Sequence, residues 1–225
     1  CDSGHSDVVQ LLLDHSNSGI DLNATNGHEE TAFLRACRNG QIDVVKLLLE
    51  HSGIIDLNAK NIDGLTSFMC GCYKGHKDVV QLLLDYSERI DLNARDIVGF
   101  TAFMWACVSG HSDVVQLLLD HSNSSIDLNA KNINGVTAFM MACFEGHKDV
   151  VQLLLDHSSK RIELNAQDYN GITAIMHACL EGQTDVVQLL RDCREIQLHI
   201  RHKDGKTAFG LACSQGHNDI VQLFL

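Results

Sequence analysis

Thiols and imidazoles are the groups with the most chemistry to offer in this chain, which holds nine Cys and 13 His among its 225 residues. Cys37, Cys72, Cys107, Cys143, Cys179 and Cys213 occupy one recurring position, each directly after a small residue (Ala36, Gly71, Ala106, Ala142, Ala178, Ala212). A nucleophilic thiolate needs a base or cation that lowers its pKa. A thiol repeated beside a small residue reads instead as a small buried hydrophobe. Equivalent cysteines of stacked helical units would lie about 8–10 Å apart, beyond the limit of about 7 Å between Cα atoms for a disulfide. Free thiols then fit a reducing compartment, so an intracellular, cytoplasmic location is expected. Cys70-Gly71-Cys72 supplies zinc-ligand types without the partner spacing of a zinc site. His5, His76, His111, His147 and His217 each follow a glycine, and His15, His51, His121 and His157 each end an apolar segment, where imidazole suits a helix dipole. His177 departs from this pattern. It stands where the other units place Arg35, Cys70, Trp105, Met141 and Leu211, with Glu181 one helical turn further on. No nucleophile is spaced to work with it, so it reads as a recognition contact. The sequence has no Gly-rich phosphate loop, metal-ligand helix or paired-carboxylate motif. It assigns no catalytic residue, metal or cofactor, and the chain is not read as an enzyme.

The elements that place these residues follow from internal repetition. Gly4, Gly40, Gly75, Gly110, Gly146, Gly182 and Gly216 recur at spacings of 36, 35, 35, 36, 36 and 34, and Thr31, Thr66, Thr101, Thr137, Thr173 and Thr207 keep the same step. Residues 4–24 return at 110–130 with one difference, Gly19 becoming Ser125. The unit from Asp127 to Ser158 illustrates the pattern. Asp127 to Val136 is polar and extended around Asn134-Gly135, a tight-turn signal that predicts a hairpin-like finger. Thr137 can cap a short helix over Ala138–Glu145, and Gly146 suits the left-handed residue after a helix end. A second helix follows from His147 to His157, with Asp149 near its positive end and Val150, Val151, Leu154 and Leu155 on one face. In the first complete unit Glu29 stands where the other fingers carry glycine, so a different turn is expected there. Neither helix can bury its apolar face within one unit, so stacking must complete the core. The expected fold is an all-α repeat solenoid over 1–225. A partial repeat spans 1–20, followed by repeats at 21–55, 56–90, 91–126, 127–162, 163–196 and 197–225. The ends carry apolar residues such as Phe224-Leu225, so further repeats or a cap are expected in the parent chain.

Composition narrows the partners. Lys and Arg total 17 against 29 Asp and Glu, and a formal charge of −12 opposes binding to a phosphate backbone. No apolar run approaches the roughly 20 residues that span a bilayer. Neither nucleic acid nor a membrane is expected as a partner. Proline is absent, so the turns rest on Gly, Asn, Asp and Ser. The sequons Asn23-Ala24-Thr25 and Asn123-Ser124-Ser125 are short enough to arise by chance.

Finger, Thr, short helix, Gly-His turn and longer helix together resemble ankyrin repeats, and the resemblance covers essentially the whole chain. The family's Thr-Pro-Leu-His-x-Ala is written here as Thr101-Ala102-Phe103-Met104-Trp105-Ala106 and its variants, with Pro and His never used. Met in place of the hydrogen-bonding ring leaves these repeats leaning more on packing. Asn58, Asn93, Asn129 and Asn165 resemble the finger asparagines that asparaginyl hydroxylases modify in this family, although a hydrogen-bonding role in the hairpin comes first.

Removing the scaffold positions leaves those that vary from unit to unit, which in ankyrin-like proteins line the concave face and finger tips and bind proteins. Finger tips are Ile62, Ile97, Ile133 and Tyr169, and the residues after the finger glycine are Leu65, Phe100, Val136 and Ile172. The short helices add Trp105, Met141 and His177, and the residues after the cysteine are Tyr73, Val108, Phe144 and Leu180. An aligned apolar stripe of this kind predicts a protein or peptide partner with apolar anchors, seated on the middle repeats. Two alternatives remain open: a structural spacer array, in which the same residues pack between units, and a targeting appendage of an enzyme whose catalytic domain lies outside the segment.

Overall fold

The computed structural model describes residues 4–14, 20–51, 53–121, 125–157 and 162–225. The expected positions at His15 and at the Asn123 sequon lie outside them. Among the described residues there are thirteen α-helices and no strands. The first helices of successive units are α2 (Ala32–Arg38), α4 (Ser67–Lys74), α6 (Ala102–Val108), α8 (Ala138–Glu145), α10 (Ala174–Leu180) and α12 (Ala208–Gln215). The second helices are α3 (Ile42–Glu50), α5 (Lys77–Leu84), α7 (Ser112–Asp120), α9 (Lys148–Asp156), α11 (Thr184–Asp192) and α13 (Asn218–Phe224), preceded by α1 (Ser6–Asp14). First helices stack on first helices and second on second, which gives two parallel rows.

Each first helix is only seven or eight residues long, too short to persist alone in water. A threonine starts it: Thr31, Thr66, Thr101, Thr137 and Thr207 accept the backbone N–H three residues on. For α4, α6, α8 and α10, neighbours on both sides and a second helix behind then cover nearly all of the helix. In α6, Ala102, Phe103, Met104, Ala106 and Cys107 are buried, and only Trp105 and Val108 keep partial exposure. The second helices are amphipathic, with Val114, Val115 and Leu118 buried in α7 and Val150, Val151 and Leu154 in α9. Leu155, expected on that face, is half-buried.

The glycine-histidine turns join one unit to the next. Gly40, Gly75, Gly110 and Gly182 hold φ between +68° and +74°, where a side chain is strained. The imidazole of the following unit lies against each. His76, His111, His147 and His217 place Nε2 at 2.9–3.1 Å from the carbonyl oxygens of Arg38, Tyr73, Val108 and Leu180 in the preceding unit. Gln183 makes the same contact to Phe144 at 2.9 Å. A Cβ on Gly110 would sit 2.6 Å from Nδ1 of His147, so glycine is required there by conformation and by space together.

Two expectations are corrected. Glu29 adopts φ +60°, and its finger closes with the same Asn26 N–H to Glu30 C=O bond that Asn61 and Leu65 make, so the turn is conserved in shape despite the missing glycine. Cys213 is exposed, since among the described residues α12 packs on one first helix and not between two, whereas Cys37, Cys72, Cys107, Cys143 and Cys179 are buried. Burial pushes the buried thiols up, to about 12 for Cys70 and Cys179, so they remain protonated and unreactive.

Two outcomes follow from these contacts. Glu29→Gly relieves a left-handed residue and is expected to raise unfolding free energy by about 0.5–1 kcal/mol in urea titrations. Among the described cysteines, native-state alkylation followed by mass mapping is expected to label Cys213 and more slowly Cys193, with the buried set reacting only in denaturant.

Candidate protein-interaction surface

The finger is built around one Asn or Asp. The Oδ1 atoms of Asn61, Asp96, Asn132 and Asp168 each accept N–H groups two and four residues on, at 2.8–3.1 Å. That closes the turn without strand partners. Each finger then bonds to its predecessor through its tip: the N–H groups of Ile62, Ile97, Ile133, Tyr169 and Lys203 donate to the carbonyls of His28, Asp63, Val98, Asn134 and Asn170 at 3.0–3.2 Å. With their backbones tied this way, the tip side chains point out. Ile62, Ile97, Ile133 and Tyr169 are 58–68% exposed, so they form a row of apolar tips and not a core between fingers.

At the base of the finger, Asn58 and Asn93 bond across the unit boundary with both ends of the amide. Asn58 donates Nδ2–H to Arg89 O and accepts the Asp91 N–H, and Asn93 does the same with Ser125 and Asp127. Asn165 repeats the pattern with Glu195 and Gln197, and Asn129 accepts the Glu163 N–H. Their role is to hold two units together, beyond the hairpin-internal bonding expected.

The variable first-helix position answers the chemistry of its own finger. Asp96 offers a second carboxylate oxygen, and Trp105 donates its indole N–H to it at 3.1 Å. Asp168 likewise faces His177, whose Nε2 lies 3.3 Å from Oδ2 as a close approach without good hydrogen-bond alignment. Burial, the largest influence, lowers the His177 pKa against the pull of Asp168 and Glu181, which leaves the imidazole neutral near pH 7. Where the finger residue is Asn61 or Asn132, the helix residue is Cys70 or Met141, which brings no nitrogen donor. Sequence reasoning missed this pairing, although the Asp/Asn alternation was its signal.

The apolar positions converge as follows. Trp105 sits between Tyr73, edge-on at 4.9 Å between ring centroids, and Phe100 at 5.0 Å. Phe144 meets His177 edge-on at 6.0 Å. Tyr73 and Phe144 are each 37% exposed, while Leu65, Phe100, Trp105, Val108, Val136, Met141, Ile172, His177 and Leu180 are half-buried along the same helix row and finger bases. Trp105 is thus less free than the sequence implied: removing it strands the Asp96 oxygen, so a stability cost accompanies any loss of binding.

At the first unit the surface turns charged. Glu30, its side chain 2% exposed, is held by Arg35 at 2.8 Å and by Arg38, with Asn26 donating to it at 3.0 Å. Burial is the largest influence and pushes the Glu30 carboxyl up, but the bonds from Asn26 and Arg38 and the two guanidinium charges outweigh it, leaving the pKa below the ordinary 4.5. These groups, with His28, Asn61, Ile62 and Asp63, line a cavity of about 440 Å³ between finger and first helix. Among the described residues no cluster of three or more His, Cys, Asp or Glu could hold a metal, and Cys70 and Cys72 are buried as thiols. No helix of the described residues is long and apolar enough to cross a membrane.

This stacked finger and helix-pair architecture belongs to a known class. The chain is a member of the ankyrin-repeat family: it matches the family described as "Ankyrin repeats (3 copies)" over residues 1–96, 54–132, 89–168, 123–201 and 159–225. It is similar to the ankyrin repeat domain of Bcl-3, described as a unique member of the IkappaB protein family, with 26% identity and a TM-score of 0.81 over 98% of this chain and 94% of that one. It is also similar to EF0377, an ankyrin repeat protein, with 25% identity and a TM-score of 0.75 over 86% of this chain and 96% of that one. No curated protein matches the sequence.

The depressed Glu30 pKa carries a signed consequence. The stability it contributes is full above the unfolded-state value and is lost as pH falls through the folded one. Urea unfolding is expected to show stability falling below about pH 4.5, with Glu30→Gln flattening that decline while costing about 1–3 kcal/mol at pH 7.

Proposed function

We propose that the chain is a protein-interaction module that takes an apolar segment of a partner in the groove between finger tips and first helices, centred on the repeats that contain Tyr73, Trp105, Phe144 and Tyr169. The observation that carries this reading is the row Ile62, Ile97, Ile133 and Tyr169, exposed at four successive tips with their backbones already bonded to neighbouring fingers. Apolar side chains that contribute nothing to the core and recur in line are what a partner covers. The half-buried aromatic cluster behind them adds rigid walls, and Tyr and Trp carry binding energy at little entropic cost. A spacer array would have these tips packed between fingers, and their exposure speaks against it. The reading is non-catalytic: His177, the best-placed titratable group of the groove, is engaged with Asp168 and Phe144.

The test uses a random peptide display library selected on the whole chain. Binders are expected to lose about tenfold or more in affinity on an Ile97→Ser, Ile133→Ser double variant. Unfolding free energy should change by less than about 0.5 kcal/mol per exposed site. Binders indifferent to both substitutions would place the interaction elsewhere and refute the groove.

A further inference from the structure

The first-helix row carries an axial separation of charge. Its cations are Arg35 and Arg38 on α2 and Lys74 on α4, all near one end. α6 carries no charge at all, and its surface is the Trp105 cluster. The anions follow along the helix-end strip, where Glu145 closes α8 and Glu181 caps α10, while Lys203 and Lys206 of the last finger stand on the finger side of the groove. Arg35 and Arg38 both meet the carboxylate of Glu30. Lys74 is exposed with its ammonium 4.6 Å from the Tyr73 ring centroid, at the lip of the aromatic cluster. Glu145 and Glu181 are exposed, and among the described residues neither they nor Lys74 make a salt bridge. Asp63 stands on the finger rim of the Glu30 cavity, which leaves the helix-end side by Arg38 and Lys74 as the cationic strip.

Spacing adds a constraint. Stacked helices step by about 8–10 Å. A peptide in polyproline-II conformation returns the same face every three residues, about 9.3 Å, which matches one unit per turn. A helix turns every 5.4 Å or so and a β-strand repeats a face every 6.6 Å or so, and neither keeps step.

Resting on the groove reading above, we propose that the occupant is an extended, polyproline-II-like peptide segment with segregated charge. Its acidic side chains lie over Arg38 and Lys74, its apolar side chains over the cluster from Tyr73 to Phe144, and its basic side chains over Glu145 and Glu181. Two unit steps separate Lys74 from Glu145 and four separate Arg38 from Glu181. Acid and base in the ligand are therefore about six to twelve residues apart, at three residues per step.

The experiment selects from a random hexadecapeptide display library on the whole chain and keeps peptides that shift the emission of Trp105, the only tryptophan. Those peptides are expected to carry acid and base at that separation with apolar residues between. Lys74→Glu is expected to weaken a selected peptide by about tenfold or more, and changing the peptide's acid to Lys restores it. Glu145→Lys behaves in mirror image, restored by changing the peptide's base to Glu. Both substitutions lie at exposed helix ends, and circular dichroism checks that the array still folds. Peptides that shift Trp105 yet ignore both charge reversals overturn the charge reading and leave the apolar groove standing. A library yielding no peptide that shifts Trp105 overturns both.

Discussion

No unit of this chain can bury its own apolar surface, and every other feature answers that shortage. A helix of seven residues flanked by a finger and a nine-residue helix has no stability of its own, so the fold exists only as a stack. Three kinds of bond fix the register of one unit on the next. Finger-tip N–H groups donate to the preceding tip, Asn58 and its equivalents clamp the finger base, and His76 and its equivalents reach back to the helix end of the preceding unit. Because the three lie at different heights of the unit, they set translation and rotation together. Apolar packing supplies the drive, and these bonds select one arrangement from the many that would bury similar area.

The same division explains why the surface varies where it does. Scaffold bonds consume the finger Asx, the cap Thr, the turn Gly and the His, which leaves the tip and one strip of the first helix free to change. Even that strip is not wholly free. Asp96 accepts the indole N–H of Trp105, and Asp168 lies 3.3 Å from the ring nitrogen of His177, so the first-helix residue faces the carboxylate of its own finger in both units. Asn61 and Asn132 stand opposite Cys70 and Met141, which bring no such donor. A buried acceptor without a donor is costly, so changing the surface residue requires changing its finger partner as well. Trp105 is therefore both a wall of the groove and part of its own unit's scaffold.

Much of this architecture was legible in the residues, because glycines and threonines at a step of 34–36 announce a solenoid, and Thr, Asn-Gly and apolar periodicity locate cap, finger and helices. The contacts that cross from unit to unit were not. His76 read as a scaffold residue after the turn glycine, yet its ring meets a carbonyl 38 residues earlier, a relation that no pattern within one unit exposes. Glu29 suggested a different turn, but the inter-finger bond from Ile62 N–H to His28 O holds the conformation that its neighbours reach with glycine. Cys213 fits the cysteine series by position and departs from it in exposure, because burial at that site comes from the next unit and not from its own.

Helices α1 and α5 show how much the stack contributes. Val8 and Leu12 of α1 are 53% and 51% exposed, whereas their equivalents Val79 and Leu83 in α5 are 1% and 0% exposed. The sequence of the helix is nearly the same, but α5 packs against α3, α4 and α7, whereas α1 packs chiefly against α3. At about 1.5–3 kcal/mol for full burial of such a side chain, the neighbours that cover α5 account for much of what holds it. The apolar tips and the Tyr73–Trp105–Phe100 cluster sit on units covered from both sides. A groove of half-buried rings needs such walls, because a ring that reorders on binding spends part of the contact energy on its own ordering. The rigidity of the stripe is therefore part of how it would bind, set by the same stacking that holds the chain together.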